Sequence, residues 1–237
     1  MRVAIMQPTY LPWSGYFGLM QEVDLFIFLD NVQFSRRSWQ QRNQIKSPSG
    51  PIWLTVPVQK KGKRDQLISE IEIDSSTAFN TSHQKSIQAC YSKTEYFEKY
   101  SPDLFGLYKN PGTLLADLNI NIISYIKDYL GINTRIMRAS ELPVSGIKDE
   151  LLASICSQVG ATEYLSPPGS YEYLKDSAAF RRSEIPVIYL KYSHPVYYQM
   201  HSEFLPYMSC IDMLFNCSEE SALIISNACS LERVPSL

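Results

Sequence analysis

The chain is poor in histidine, carries its cysteines in no paired pattern, and has no long hydrophobic run. Each shortage narrows its chemistry. The five cysteines, Cys90, Cys156, Cys210, Cys217 and Cys229, are widely separated and form no CxxC pair. That spacing argues against a disulfide framework and a structural zinc site, and leaves the thiols as small apolar core residues. Three histidines, His83, His194 and His201, offer few imidazoles for acid or base work, and no metal site is expected. The apolar start Val3-Ala4-Ile5-Met6 is too short for a signal peptide, and nothing later reaches the roughly 18 apolar residues of a spanning helix. The expectation is a soluble, cytoplasmic protein without stable membrane insertion. A charge excess is missing too: 22 basic against 24 acidic residues leave a net charge of −2, which excludes wholesale polyanion binding.

What is present is enough apolar sequence for a core. Hydrophobic residues make up 45% of 237 and charged residues 19%, with no internal repeat and no stretch of linker composition. One α/β domain over residues 1–237 is expected, with a mainly helical part around 80–130. Val3 to Met6 is a short buried-strand pattern ending at Gln7-Pro8; Gly15 to Glu22 has Phe17, Leu19 and Met20 at helical spacing; Asp24 to Leu29 is a second apolar run. Strand, loop, helix and strand within about 30 residues form a βαβ unit with a right-handed crossover. Open parallel sheets bind ligands beyond the carboxyl ends of their strands, which points to Gln7 to Ser14 and Asp30 to Phe34.

Further strands are expected at Ile52 to Val58, Ile68 to Ile73, Ile132 to Met137, Glu163 to Ser166, Val187 to Tyr192 and Tyr197 to Met200. Helical spacing covers Thr81 to Tyr129, with Thr113 as a cap, and then Lys148 to Val159, stopped by Gly160. The last ten or so residues read as frayed.

From Ser35 to Arg64 the chain carries Arg36, Arg37, Arg42, Lys46, Lys60, Lys61, Lys63 and Arg64 and no Asp or Glu. A solvated surface normally mixes both signs, so this stretch suggests an anionic partner, and arginine forks suit diphosphate oxygens. The Lys60 to Arg64 run reads as an exposed loop, or as a contact for tRNA or membrane phosphate. For catalysis, Asp30 ends an apolar strand and is placed to orient an amine, a hydroxyl or Mg²⁺, or else to cap the next turn. His194 beside a tyrosine-rich segment is the second candidate base, against a half-buried, hydrogen-bonded histidine. His83, in a polar helical stretch, reads as a surface residue. Gln7, Tyr10, Gly15 and Tyr16 in the first loop and Gln33 in the second are candidate binding residues. Gly169 and Tyr171, with Tyr173, form a glycine and aromatic loop able to hold a ring by stacking, or a plain turn. Asp212 and Asn216 share a helix face and can brace the crevice. Cys90 has no neighbour that would lower a thiol pKa.

The run Gln7-Pro8-Thr9-Tyr10-Leu11-Pro12-Trp13-Ser14-Gly15-Tyr16-Phe17 is the most specific in the chain. With Phe28 to Phe34, Arg36-Arg37-Ser38-Trp39, Arg42-Asn43 and Pro51 to Val58, it resembles the signature of the WbqC-like family of bacterial surface-polysaccharide gene clusters. Tyr164 to Gly169 and Ile211 to Asn216 extend the likeness. The resemblance implies transfer of an acyl or aminoacyl group, glycine among them, to a nucleotide-linked amino sugar. Its segment Arg42-Asn43 adds Asn43 to the candidate site, where Arg42 already stands with Arg36 and Arg37 after the crevice loop; an aminoacyl-tRNA is a further candidate partner, as a larger acceptor. The strand, loop, glycine and helix layout is similar to pantothenate synthetase and other HIGH-type nucleotidylyltransferases. That second likeness implies a Rossmann-like, HUP-like parallel core and an alternative function, adenylyl transfer from ATP with Mg²⁺. Trp13, Gly15 and Tyr16 stand at its His-x-Gly-His positions, so both imidazoles are missing. A third reading is a non-catalytic module that presents a glycan intermediate.

Overall fold

The computed structural model describes residues 1–59, 65–201 and 203–233. A six-stranded sheet forms from β1 (Arg2–Met6), β2 (Leu25–Phe28), β5 (Arg135–Arg138), β6 (Glu163–Ser166), β7 (Val187–Tyr192) and β8 (Cys229–Arg233). Its spatial order is β5-β2-β1-β6-β7-β8, all parallel except β8, which runs antiparallel to β7. Counted within the sheet this is 3-2-1-4-5-6, the doubly wound Rossmann-like order. The chain winds outward from β1 in one direction and from β6 in the other, so the topological switch lies between those two strands.

Between β2 and β5 the chain inserts a two-stranded hairpin, β3 (Arg42–Ser47) and β4 (Gly50–Thr55), and three helices, α2 (Phe79–Tyr91), α3 (Phe97–Lys109) and α4 (Leu115–Tyr129). After β5 come α5 (Lys148–Gln158), α6 (Tyr171–Leu174), α7 (Ala178–Ser183), α8 (Cys210–Cys217) and α9 (Glu220–Asn227). The first helix, α1 (Ser14–Gln21), joins β1 to β2.

Alternation along the strands divides the core. Ala4, Phe26, Phe28, Leu165 and Ile188 face a large cluster with α1 and the inserted helices, while Val3, Ile5, Leu25, Ile27 and Tyr164 face a smaller one with α5 and α7. Each fully buried side chain of this size contributes about 1.5–3 kcal/mol of transfer free energy, enough to fix which residues turn which way.

Several local expectations are corrected. Ile68 to Ile73 is a 3₁₀ turn over Ile68–Glu70, because the Glu70 carboxylate accepts from the Leu67 N–H at 3.0 Å; only isolated bridges at Glu72 and Ile73 follow. Tyr197 to Met200 joins no ladder; the Tyr197 hydroxyl and the Met200 N–H are held separately by Asp212 and Asn216 of α8. The expected strand Ile52 to Val58 is β4 and stays outside the main sheet. Helix α4 starts after Leu114 without a side-chain cap, Thr113 instead accepting from the Ile73 N–H through its carbonyl. Of the segment expected to fray, Cys229–Arg233 forms β8, since β7 offers it a free edge, and the last four residues lie outside the described ones. The Lys60 to Arg64 run lies outside the described residues.

Candidate functional site

At the switch point the β1 and β6 ends open into a cavity of about 310 Å³. Gln7 and Thr9 follow β1, Ser166, Pro167 and Ser170 follow β6, and Ser38, Trp39 and Gln40 close it from the turn before β3. Tyr164 and Tyr173 supply aromatic surface. No Asp, Glu, Lys, Arg or His stands among the described residues of its wall.

The polar wall is pre-arranged. Gln40 donates through Nε2 to Gln7 Oε1 at 2.8 Å and accepts from the Ser35 N–H at 2.9 Å, so the first βα loop and the arginine turn hold one another. Ser166 and Ser170 hydroxyls lie 2.6 Å apart, and Ser170 donates to the Pro167 carbonyl at 2.7 Å. Beneath them Asn119, fully buried on α4, donates to the Pro8 carbonyl at 3.0 Å and to the Gln40 carbonyl at 2.7 Å. One side chain thus ties both crevice loops to the helical part, and residue-by-residue reading of the sequence missed it. The available signal was a lone Asn inside the stripe Leu115, Leu118, Ile122 and Ile126.

A second cavity of about 260 Å³ adjoins the first across Met6, Thr9 and Trp39. Pro12, Trp13, Tyr16, Asn43 and Tyr207 complete its wall. Trp39, 51% exposed, packs against Trp53 with ring centroids 5.4 Å apart, and the Arg42 guanidinium sits 4.3 Å above the Trp53 ring. The crevice mouth therefore carries an aromatic and cationic ledge.

Of the residues expected to bind, Gln7, Tyr16 and Asn43 line these cavities, Tyr16 donating to the Gln7 carbonyl at 3.1 Å. Tyr173 also lines the first, whereas its companions Gly169 and Tyr171 do not; Tyr171 packs edge-on against Tyr189. Tyr10 is fully buried, its hydroxyl between His83 Nδ1 and the Tyr108 hydroxyl, and so anchors the loop from below. Gly15 is required by close approach: a Cβ there would meet the Trp13 indole at 2.3 Å. The indole therefore covers the glycine of the expected nucleotidylyltransferase-like motif. Gln33 is exposed and donates to Asp65 at 2.7 Å, away from both cavities. Arg36 and Arg37 are exposed at the turn that delivers Ser38 and Trp39; neither they nor Arg42 line the cavities.

The two expected bases are both committed elsewhere. Asp30 is fully buried and accepts from the Ser140 N–H at 2.9 Å and the Ser140 hydroxyl at 2.8 Å, joining the ends of β2 and β5. The carboxylate does not cap its own next turn; both bonds go to Ser140, in the 3₁₀ turn Ala139–Glu141 that follows β5. His194 stacks on Trp13 with centroids 6.0 Å apart, accepts at Nε2 from the Tyr207 N–H at 3.0 Å, and lies 3.0 Å from the Pro195 carbonyl through Nδ1. Since a backbone N–H fixes Nε2 as acceptor, Nδ1 carries the proton and the ring is neutral. Burial pushes its pKa down. His83 is a correction: it is buried, and burial holds its pKa down at about 4. Burial raises the Cys90 thiol pKa, with the Asp212 charge adding to it, which leaves no reactive nucleophile there.

Away from the crevice, Asp212 is fully buried on α8 and accepts from Tyr91 at 2.9 Å and Tyr197 at 2.8 Å. Lys46, equally enclosed, donates to the Glu203 carbonyl at 2.7 Å and lies in the field of Asp212. Burial raises the carboxyl pKa against the pull of both phenols and Lys46, and burial lowers the ammonium pKa. Asn216 completes the cluster, donating to the Asp212 carbonyl at 2.7 Å and accepting from the Met200 N–H at 3.0 Å.

Among the described residues no helix is long and apolar enough to cross a membrane, and no group of three or more His, Cys, Asp or Glu is placed to hold a metal ion. No solved structure matches the chain. The uncharacterized protein Rv1507c of Mycobacterium tuberculosis is 37% identical over 222 residues, covering 93% of this chain and 95% of that protein. The sequence profile of the WbqC-like protein family matches residues 7–224, from the first residue of the crevice loop to α9; the chain belongs to that family.

Proposed function

We propose that the switch-point crevice binds a nucleotide-linked amino sugar, and that the chain is a transferase of bacterial surface-polysaccharide synthesis that places an acyl or aminoacyl group on the sugar nitrogen. The observation that carries the reading is the cavity at the β1 and β6 ends, walled by amides, hydroxyls and aromatic rings without a charged side chain. Such a wall matches a neutral, hydroxyl-rich ring, whose polar edges meet Gln7, Ser38 and Gln40 and whose C–H faces meet Trp39 and Tyr173. The anionic part of the ligand then belongs outside, where Arg36 and Arg37 stand exposed on the same turn. In the transfer, the amine nitrogen bonds to the acyl carbon, the bond from that carbon to its carrier breaks, and one amine proton leaves with the carrier. Asp30 and His194 support the frame and do not face the reacting atoms.

A non-catalytic module that presents a glycan intermediate is the second reading, favoured by the same lack of an acid or base among the described wall residues. Adenylyl transfer from ATP with Mg²⁺ is less well supported, because the Trp13 indole lies over Gly15 at the helix start. A charged tRNA as a larger acceptor is a further arm of the test.

Thermal denaturation with nucleotide-linked amino sugars, matched neutral sugars, ATP with Mg²⁺, and charged tRNA discriminates these. A ligand at 100 times its Kd adds about 2.7 kcal/mol. The expected result is stabilisation by an amino-sugar nucleotide, a mass gain when a donor is supplied, and loss of the stabilisation in the Arg36→Ala, Arg37→Ala double variant. Stabilisation without a mass gain for any donor selects the module, and a response to ATP alone overturns the sugar reading.

A further inference from the structure

The second cavity is a different kind of space from the first. Met6, Pro12, Trp13, Tyr16, Trp39 and Tyr207 give it a wall almost wholly apolar or aromatic. Of its two remaining side chains, Asn43 is spent, donating to the Leu11 carbonyl at 2.6 Å and accepting from the Gln44 N–H at 2.7 Å. The Thr9 hydroxyl makes no hydrogen bond to the described residues, and Thr9 stands where the two cavities meet. An apolar recess, open on the side of Trp39 and Tyr207, favours apolar matter, and one polar group where it meets the first cavity orients whatever enters.

We infer that this cavity is an acyl-chain pocket, filled by an aliphatic or aromatic acyl group presented as a thioester with its carbonyl at Thr9. An apolar cavity of about 150 Å³ accommodates benzene, so one of about 260 Å³ holds a group of about ten non-hydrogen atoms. A glycyl group is the wrong occupant. It would leave most of the space empty, and its ammonium would lie against a wall with no carboxylate to receive it. The inference names the donor class for the transferase proposed above and rests on that reading for its role, although occupancy of the pocket is measurable without it. With a sugar amine in the first cavity and the thioester carbonyl at Thr9, the nitrogen attacks the carbonyl carbon. A C–N bond forms, the C–S bond breaks, and the amine proton leaves with the thiol, so the products are an amide and a free thiol.

The test titrates the full chain with S-acyl-N-acetylcysteamine thioesters, from glycyl and acetyl to decanoyl, following tryptophan fluorescence because Trp13 and Trp39 are both wall residues. Affinity is expected to rise about fourfold per methylene and to level off once the pocket is full. The shape-conserving Thr9→Val variant should weaken every member by a similar factor and leave the slope unchanged. A flat series, or glycyl and acetyl thioesters binding as tightly as hexanoyl, overturns the pocket. An unaltered Thr9→Val overturns the placement of the carbonyl. Nucleotide-linked amino sugars titrated in parallel separate the two ideas. Chain-length dependence without sugar binding supports the pocket and removes the crevice reading, and sugar binding with a flat series does the reverse.

Discussion

The molecule concentrates polar chemistry in two places and builds them in opposite ways. Around α8 an acid, a base and two phenols cluster, Asp212, Lys46 and Tyr91 buried and Tyr197 half-buried, all engaged with one another or with backbone. At the switch point, amides, hydroxyls and indoles surround an open cavity and none of the described wall residues is charged. Titratable groups hold the frame, whereas neutral groups line the crevice. A buried charge is tolerated only when it is paired and hydrogen-bonded, and a group so engaged has little capacity left for a substrate.

The sharpest way to break this contrast is Asp212→Ala. Removing the carboxylate leaves the Tyr91 and Tyr197 hydroxyls without their acceptor and Lys46 without its counter-charge, and a loss of about 3–5 kcal/mol is expected in urea denaturation. The folded fraction should bind crevice ligands with unchanged affinity. A stable variant with lost binding would make the cluster part of the site. Acid provides the next largest effect. His83 is held at about 4, below the ordinary 6.5, so between those values the unfolded chain binds a proton that the folded chain refuses. Stability is therefore full above about pH 6.5 and falls toward pH 4, by about 3 kcal/mol. A His83→Gln variant, retaining a polar partner for Tyr10, should show a flatter acid limb in denaturation measured across that window.

What could be seen in the sequence follows the same division. Strands β1, β2, β6 and β7 were legible because parallel strands buried on both faces are short apolar runs. Gln7 followed from β1 by the rule that ligands collect at strand ends. Strand β3 was not legible: Arg42-Asn43-Gln44-Ile45-Lys46-Ser47 has one apolar residue, and it becomes a strand because β4 pairs with it and remote partners satisfy Asn43 and Lys46. Strand β8, Cys229-Ser230-Leu231-Glu232-Arg233, depends likewise on the free edge of β7. The burial of Asp30, Tyr10 and His83 was not legible for one reason. Their hydrogen-bond partners, Ser140 for Asp30, Tyr108 for Tyr10 and Tyr10 for His83, lie 110, 98 and 73 residues away, and no local pattern announces them.

Asn119 tests the seam between the two kinds of chemistry, since it is buried like the cluster and yet supports the crevice. Asn119→Leu keeps the volume and removes both donors, leaving the Pro8 and Gln40 carbonyls unpaired. About 2 kcal/mol of stability should go. Ligand affinity should fall with it, because Gln7 and Gln40 are positioned through those two loops; equilibrium binding on folded protein separates the effects. Intact affinity would show that the bond between Gln40 and Gln7 holds the loops unaided.

The smallest change in stability is expected at Trp39, and it sharpens the contrast most. The ring is half exposed and its principal stacking partner, Trp53, is itself 44% exposed, so Trp39→Ala should cost the fold under about 1 kcal/mol. Its backbone contact with Tyr10, the Tyr10 N–H donating to the Trp39 carbonyl at 2.9 Å, survives the substitution. Yet Trp39 is a wall of both cavities and the ledge at their mouth. If neutral, exposed groups carry recognition, affinity for a crevice ligand should drop about tenfold in calorimetry, a loss that stacking alone supplies, and Trp39→Phe should recover much of it. A variant that melts early while binding normally would assign Trp39 to the frame and remove the division between charged scaffold and neutral site.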